Sequence, residues 1–250
     1  MKVLLCGACG RMGRMVTELA AEQGIEIVCG VDLFPKSAPY PVYPSFKEIK
    51  ERADVIVDFS SADGLKERLE YAKVHHLPVM LGATGYSAED EALIRTYARE
   101  LPLFKTGNLS LGVNLLQLLV RRAATVLEGF DVEIIERHHN QKKDAPSGTA
   151  LMLAESVMNA SKEEKESVYG RHGMVGARQP REIGIHAVRG GTIVGEHEVM
   201  FAGEDEIVTL AHSARSRKVF AGGALRAAAW LTQKPAGLYN MDDLLSEIVK

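Results

Sequence analysis

Short apolar runs alternate with helix-periodic segments through the first hundred residues. Lys2–Cys6, Ile25–Val31, Asp54–Phe59, Pro78–Leu81 and Leu101–Phe104 are mostly apolar and too short for helices, so they predict strands buried on both faces. Between them, Met12, Val16, Leu19 and Ala20 fall on one helical face, and Asp63–His75 and Ala88–Glu100 carry helix-like spacing. Such alternation predicts a doubly wound parallel α/β sheet of Rossmann type. After Asn108 the pattern changes. Leu111–Leu127 predicts a helix, Asp131–Glu136 a strand and Ala150–Met158 a second helix. Glu182–Val188, Thr192–Phe201 and Glu206–His212 alternate partially, as at Ile183, Ile185 and Ala187, which suits a largely open mixed sheet covered on one face. Ser156–Pro180 is polar, charged and glycine-containing, and is expected to be a mobile or interface-forming loop. Lys218–Lys234 returns to helical spacing with Leu225, Ala228 and Trp230, and is expected to pack back on the first domain. The expected organisation is an α/β domain of residues 1–108 with 219–250, and an α+β domain of residues 109–218.

The first strand stops at Gly7-Ala8-Cys9-Gly10-Arg11-Met12-Gly13, and the second ends in Asp32. Strand, glycine turn, helix, strand and acid form the layout of a dinucleotide-binding βαβ unit. Glycines let the backbone approach a pyrophosphate, the helix start offers unpaired N–H groups, and the acid accepts from ribose hydroxyls. The spacing is G-x-x-G-x-x-G rather than G-x-G-x-x-G, so a tight strand-to-helix turn alone remains the plainer alternative for the motif by itself. Three further strands end in small polar tips, Ser60-Ser61, Gly82-Ala83-Thr84-Gly85 and Thr106-Gly107-Asn108, the edge where open parallel sheets bind ligands.

Composition narrows the classes. At 250 residues, 46% hydrophobic and 25% charged, the chain has the make-up of a soluble globular protein. A formal net charge of −3 and no basic, aromatic surface argue against nucleic-acid binding. No apolar run approaches a membrane span, residues 1–5 lack signal-peptide regions, and three cysteines make no disulfide framework, so a cytoplasmic protein is expected. Cys6 and Cys9 form a C-x-x-C pair, but one closes a strand and the other sits in the glycine turn, which disfavours a catalytic dithiol. No ligand spacing for a metal is present, and none is expected.

The densest chemistry lies in Glu133–Ala150, EIIERHHNQKKDAPSGTA. A strand delivers His138 and His139, then Lys142 and Lys143, then Ser147-Gly148-Thr149 at a helix start after Pro146. Histidine suits a general acid near neutral pH, and a lysine donates a proton where its surroundings lower its pKa. Hydroxyls and N–H groups at a helix start make an anion site, although plain N-capping is the commoner role of such a start. His75-His76 at a helix end, and His186, His197 and His212 on strands, are assigned no catalytic role; Arg189-Gly190-Gly191 and Val194-Gly195-Glu196-His197 are expected at most to border a pocket.

These residues resemble the 4-hydroxy-tetrahydrodipicolinate (dihydrodipicolinate) reductase family across nearly the whole chain. The likeness runs through GACGRMG at Gly7–Gly13, VDFSS at Val57–Ser61, GATG at Gly82–Gly85 and TGNLSLGVN at Thr106–Asn114. It continues through E-x-H-H-x-x-K-x-D-A-P-S-G-T, RGGTIVGEHEVMF at Arg189–Phe201 and HSARSRKVFAGGALRAAAWL at His212–Leu231. The resemblance implies NAD(P)H-dependent reduction of a cyclic unsaturated amino diacid on the diaminopimelate route to lysine. It implies His138 as proton donor or acceptor, Lys142 as second proton donor, and His139, Ser147, Gly148 and Thr149 as substrate carboxylate ligands. Gly7, Ala8, Cys9, Gly10, Arg11, Met12, Asp32, Gly82, Ala83, Thr84, Thr106, Gly107, Asn108 and Leu109 are implied as the cofactor's lining. A homotetramer built through the second domain's sheet is also implied. Two departures matter. Leu109 stands where phenylalanine is common, and Leu33 follows Asp32 where some members carry an arginine for a 2′-phosphate. The expectation is therefore use of both NADH and NADPH with NADH preferred, Lys36 being near enough to admit NADPH. A semialdehyde or homoserine type of dehydrogenase is disfavoured because all three cysteines precede Val31. A catalytically silent nucleotide sensor would retain the glycine turn but not both His138 and Lys142.

Overall fold

Residues 1–248 are described by the computed structural model, which divides into two compact units: Met1–Ser110 with the segment from Lys218 onward, and Leu111–Arg217. In chain order the first unit opens with β1 (Lys2–Cys6), α1 (Arg11–Glu22), β2 (Glu26–Val31), β3 (Val42–Tyr43), β4 (Val55–Asp58), α2 (Leu65–His75), β5 (Val79–Leu81), α3 (Ala88–Tyr97) and β6 (Pro102–Lys105). The second unit contains α4 (Leu111–Val126), β7 (Asp131–His138), α5 (Gly148–Ala160), β8 (Glu166–Tyr169), β9 (Glu182–Arg189), β10 (Gly195–Ala202) and β11 (Ile207–Ala214). The chain returns to the first unit with α6 (Lys218–Leu231), β12 (Gly237–Tyr239) and α7 (Met241–Ile248).

The apolar runs of the first unit form a seven-stranded parallel sheet in the order β12-β6-β5-β4-β1-β2-β3. Every residue of β4 and β5 is buried, which is why these strands carry no alternation. Each fully buried Val, Leu, Ile or Phe contributes about 1.5–3 kcal/mol relative to exposure, so this core dominates the unit's stability. The chain winds outward from β1 to β3, then restarts at β4 and winds the other way. The sheet's switch point therefore lies between β1 and β4, at whose carboxyl ends the Gly7 and Ser60 tips stand. Helix α6 packs on α1 and on β4, β5 and β6, and Gly223 is needed there because a side chain would collide with the Leu109 carbonyl. Strands β3 and β12, two and three residues long, were missed by the hydrophobic pattern, since such short edge strands bury too little to carry a signature, and helix α7 was missed as well.

In the second unit, β11-β10-β7-β9-β8 form a mixed sheet: β7, β8 and β9 pair in parallel, and β10 pairs antiparallel with β7 and β11. Strand β7 alternates strictly, with Val132, Ile134, Glu136 and His138 on the buried face. Helices α4 and α5 cover that face through Leu116, Val120, Leu153 and Val157, which pack with Ile134, Ile185, Val199 and Phe201.

Three expectations need correction here. Strand β7 continues two residues past Glu136, because His138 pairs with Arg189 in the β9 ladder. Strand β10 starts at Gly195 rather than Thr192, since residues 190–194 form a turn in which Gly191 takes φ +47° and the Gly190 N–H donates to the His138 carbonyl. Ser156–Pro180 is not one loop. Helix α5 runs to Ala160, with Ser156 buried and its hydroxyl bonded to the Met152 carbonyl, and Glu166–Tyr169 forms edge strand β8. The remaining 170–181 segment is tied to the sheet by Arg171 and Arg178, both donating to Glu133, whose carboxyl these bonds and His186 draw down to about 2 against the upward push of burial.

Candidate active site

The glycine turn of the first unit is shaped by steric necessity. Gly7 adopts φ +70°, and a Cβ there would stand 2.6 Å from the Phe59 carbonyl oxygen. A side chain at Gly13 would collide with the Gly7 and Ala8 carbonyls. Gly10 caps α1 without a side-chain hydrogen bond, leaving the first turn's N–H groups for another acceptor. Asp32, just beyond β2, accepts the Cys9 N–H at 2.9 Å and the Phe34 N–H at 3.0 Å, one on each oxygen, and so fixes the turn and the acid together. A cleft of about 450 Å³ opens beside them. Leu33, Phe34 and Phe46 form its apolar wall, and Gly7, Gly10, Asp32, Ser60 and Ser61 its polar side. An extended molecule with an anionic middle, a ribose and a flat apolar end fits this set.

Of the expected cofactor residues, Gly7, Gly10 and Asp32 line the cleft; Ala8, Cys9, Arg11 and Met12 continue the same turn and helix start. The Gly82–Thr84 tip stands at the end of β5, where a Cβ on Gly82 would press the Phe59 ring at 2.7 Å. The Thr106–Leu109 tip is braced by itself: the Thr106 hydroxyl donates to the Asn108 carbonyl, and the Ser110 N–H donates to Asn108 Oδ1. Leu109 is 7% exposed, so its departure from phenylalanine falls on a buried side chain. The Ser60 tip rests on a buried ion pair. Asp58 Oδ1 accepts the Ser60 N–H and hydroxyl, and Arg68 Nε lies 3.0 Å from Asp58 Oδ2 while its other nitrogens donate to the Ser61 and Asp63 carbonyls. Arg68 was missed because a single arginine in a helical stretch ordinarily belongs to a solvated face.

The second unit gathers its polar groups at the carboxyl end of β7. Glu136 is fully buried and accepts four hydrogen bonds. Arg189 Nη1 and Nη2 grip its two oxygens at 2.7 Å each, the Ser147 N–H donates to Oε1 at 2.9 Å, and His138 Nδ1 lies 2.6 Å from Oε2. Burial alone would raise the Glu136 carboxyl, but the bonds from Arg189, His138 and Ser147 hold it below the usual range. His138 is 9% exposed, with its Nε2 edge beside Gly195.

Ser147 caps α5, accepting the Ala150 N–H at 3.2 Å, while its oxygen lies 2.9 Å from His197 Nε2. The direction of that bond follows the His197 tautomer, so Ser147 caps the helix and remains among the residues expected at the anion site. Gly148 is exposed with open space where a Cβ would stand, and half-buried Thr149 follows it in the first turn of α5. Lys142 is held by Asp144 at 2.8 Å, and Asp144 is pulled down by that ammonium. Half-buried His139 lies one residue past β7, and Lys143 is exposed.

Glu136, the leading acid of the E-x-H-H motif but given no role there, belongs to this cluster, as do Arg189 and His197, which were expected at most to border a pocket. The available signal was the period of β7, which puts Glu136 on the same face as His138. His197 is pushed down to about 4, first by burial and then by the charge of His138, and its Nδ1 is buried without a partner. The unfolded chain therefore takes up a proton near 6.5 that the folded chain refuses until about 4, so this group's stabilisation is complete above pH 6.5 and is lost as pH falls toward 4. The depression corresponds to about 3 kcal/mol. Denaturant unfolding at pH 7 and pH 4.5 is expected to show a smaller pH dependence in His197→Gln than in the parent, and equal dependence would remove His197 as the cause.

A doubly wound sheet with its glycine turn at the switch point, joined to a unit bearing a buried acid–base pair, defines a pyridine-nucleotide-type oxidoreductase. An amine dehydrogenase from Mycobacterium smegmatis shares that fold, with a TM-score of 0.63 at 12% identity over 97% of this chain and 95% of its own. The particular family is narrower: the dihydrodipicolinate reductase N-terminus matches residues 1–109 and its C-terminus residues 112–245, and the chain belongs to that family. A 4-hydroxy-tetrahydrodipicolinate reductase of Caldanaerobacter subterraneus is 48% identical over 98% of both chains, and one of Clostridium novyi is 46% identical over the same shares. The solved dihydrodipicolinate reductase of Paenisporosarcina sp. TG-14 with dipicolinate bound has a TM-score of 0.81 at 25% identity, covering 96% of this chain and 97% of its own.

Proposed function

We propose that the chain reduces 4-hydroxy-tetrahydrodipicolinate to tetrahydrodipicolinate with NAD(P)H, in diaminopimelate and lysine biosynthesis. The observation that carries this is the buried Glu136–His138 pair next to the α5 start, in a chain whose two halves both match one reductase family. The dinucleotide, when bound, supplies the hydride and its electron pair. The residues do the rest. Gly7–Met12 receive the pyrophosphate at the α1 start, Asp32 the ribose, and the Gly82–Thr84 and Thr106–Leu109 tips the remaining length of the cofactor. The Gly148 and Thr149 N–H groups, His139 and Ser147 bind a substrate carboxylate at that turn. His138 gives up the proton that neutralises the reduced ring, and Lys142 stabilises charge and serves as the second donor. The open face of the second sheet is the proposed seat of a homotetramer, and the protein acts in the cytoplasm.

Both Asp32 oxygens are turned toward the end of β2 by backbone N–H groups, and a fixed carboxylate accepts from a 2′-hydroxyl but repels a 2′-phosphate. Lys36, close to Asp32 in sequence, offers a compensating charge, so both cofactors serve and NADH is preferred. Turnover followed by absorbance loss from NADH and NADPH, with freshly generated substrate, tests both statements. Oxidation dependent on that substrate is the expected result. Nucleotide binding without oxidation would favour the sensor alternative, and a kcat/KM about tenfold or more higher with NADPH would overturn the preference.

A further inference from the structure

We infer that Glu136, gripped by Arg189, is a positioning residue that dictates which nitrogen of His138 carries the transferable proton and ties that nitrogen's placement to the anion-binding start of α5. The inference rests on His138 being the proton donor proposed above. Its basis is a count of donors and acceptors. Glu136 is fully buried and receives two N–H groups of one guanidinium and one backbone N–H, so it is an ionised carboxylate with no proton to give. The group 2.6 Å from its Oε2 must then be a donor, which makes His138 Nδ1 an N–H in both protonation states. The nitrogen that gains and loses a proton is Nε2.

The surroundings of Nε2 agree. An ideal Cβ on Gly195 would stand 3.0 Å from it, so glycine at that position keeps its approach open. The same Glu136 carboxylate that orients the imidazole also accepts the Ser147 N–H, so one buried anion sets both the proton donor and the helix start. The groups facing this pair are Arg189 from β9, His197 from β10 with its ring centroid 5.2 Å from that of His138, His212 paired with His197 from β11, and Ser147, Lys142 and Asp144 from the loop and α5. The guanidinium is itself anchored to the Asp144 and Val188 carbonyls, which keeps it from swinging away when the imidazole changes charge. In the step itself, the imidazolium Nε2–H bond breaks and its electron pair stays on nitrogen. The proton adds to the reduced ring, the hydride comes from the dihydronicotinamide of the proposed reaction, and the substrate's 4-hydroxyl departs as water, which balances the step.

The test is the pH dependence of kcat in full-length Glu136→Gln, with His138→Ala beside it. An amide keeps the shape but removes the negative charge that favours the imidazolium. The alkaline fall-off of kcat is therefore expected to move about 1–2 pH units lower, with cofactor affinity little changed. A lowered kcat with an unmoved alkaline limb would mean a purely structural role and would overturn the inference. Full turnover in His138→Ala would instead sink the underlying assignment of the proton donor. Should Glu136→Gln fail to fold, histidine-selective nitrogen NMR of the unaltered protein decides the point. Neutral His138 is expected with its proton on Nδ1, and a proton on Nε2 would refute the inference.

Discussion

Replacing His138 with alanine is expected to lower turnover by about 10²–10⁴-fold, the usual range for loss of a general acid. The physical reason is geometric as much as chemical. The imidazole is anchored on one nitrogen by a buried carboxylate, and its other edge faces the open approach left by Gly195. Alanine removes the proton donor and leaves Glu136 with its Arg189 and Ser147 partners, so the carboxylate does not become an orphaned charge. The protein should therefore stay folded and bind the dinucleotide as before. Steady-state kinetics with calorimetry of cofactor binding separates the two: turnover falls while the cofactor Kd stays within about twofold, a shift under 0.5 kcal/mol. Near-full turnover would remove His138 from the proton step.

The second large effect is on stability. Asp58 is fully buried at the end of β4, and Arg68 of α2 is its only ion-pair partner recorded among the described residues. Arg68→Met preserves much of the side chain's apolar length but strands the carboxylate. Breaking a buried pair from one side costs about 3–5 kcal/mol, which is far more than the net worth of the pair. Urea unfolding should show that loss, and the dinucleotide should bind more weakly because Arg68 also holds the Ser61 and Asp63 carbonyls at the rim of the cleft. The double variant Asp58→Asn with Arg68→Met, which removes both charges, is expected to recover much of the stability. A single variant as stable as the parent would show that the pair contributes nothing net.

Most of the larger architecture is legible in the sequence, for reasons that particular residues make clear. Val55–Val57 and Val79–Leu81 are unbroken apolar runs because parallel strands are covered on both sides, and Gly7 and Gly13 are glycines because the turn leaves no room for a Cβ. The motif at Glu133–Ala150 likewise put His138, Lys142 and the Ser147–Thr149 helix start close together, since all lie within one strand, one loop and one helix turn. These are local facts, carried by spacing and steric exclusion along a short length of chain.

Tertiary structure alone decided who partners whom across long separations. Arg189 meets Glu136 through parallel pairing of β7 and β9, and His197 reaches Ser147 only because β10 runs antiparallel beside β7. Edge strand β8 shows the same limit: Glu166–Tyr169 is four residues long with none of them buried, and only its register against β9 makes it a strand. Sequence by itself determined the sheet type, the glycine turn and the identity of the chemical groups, because burial and backbone sterics act residue by residue. The protonation state of Glu136, the orientation of His138 and the neutrality of His197 were decided by the folded arrangement, because hydrogen bonds and desolvation depend on neighbours fifty residues away.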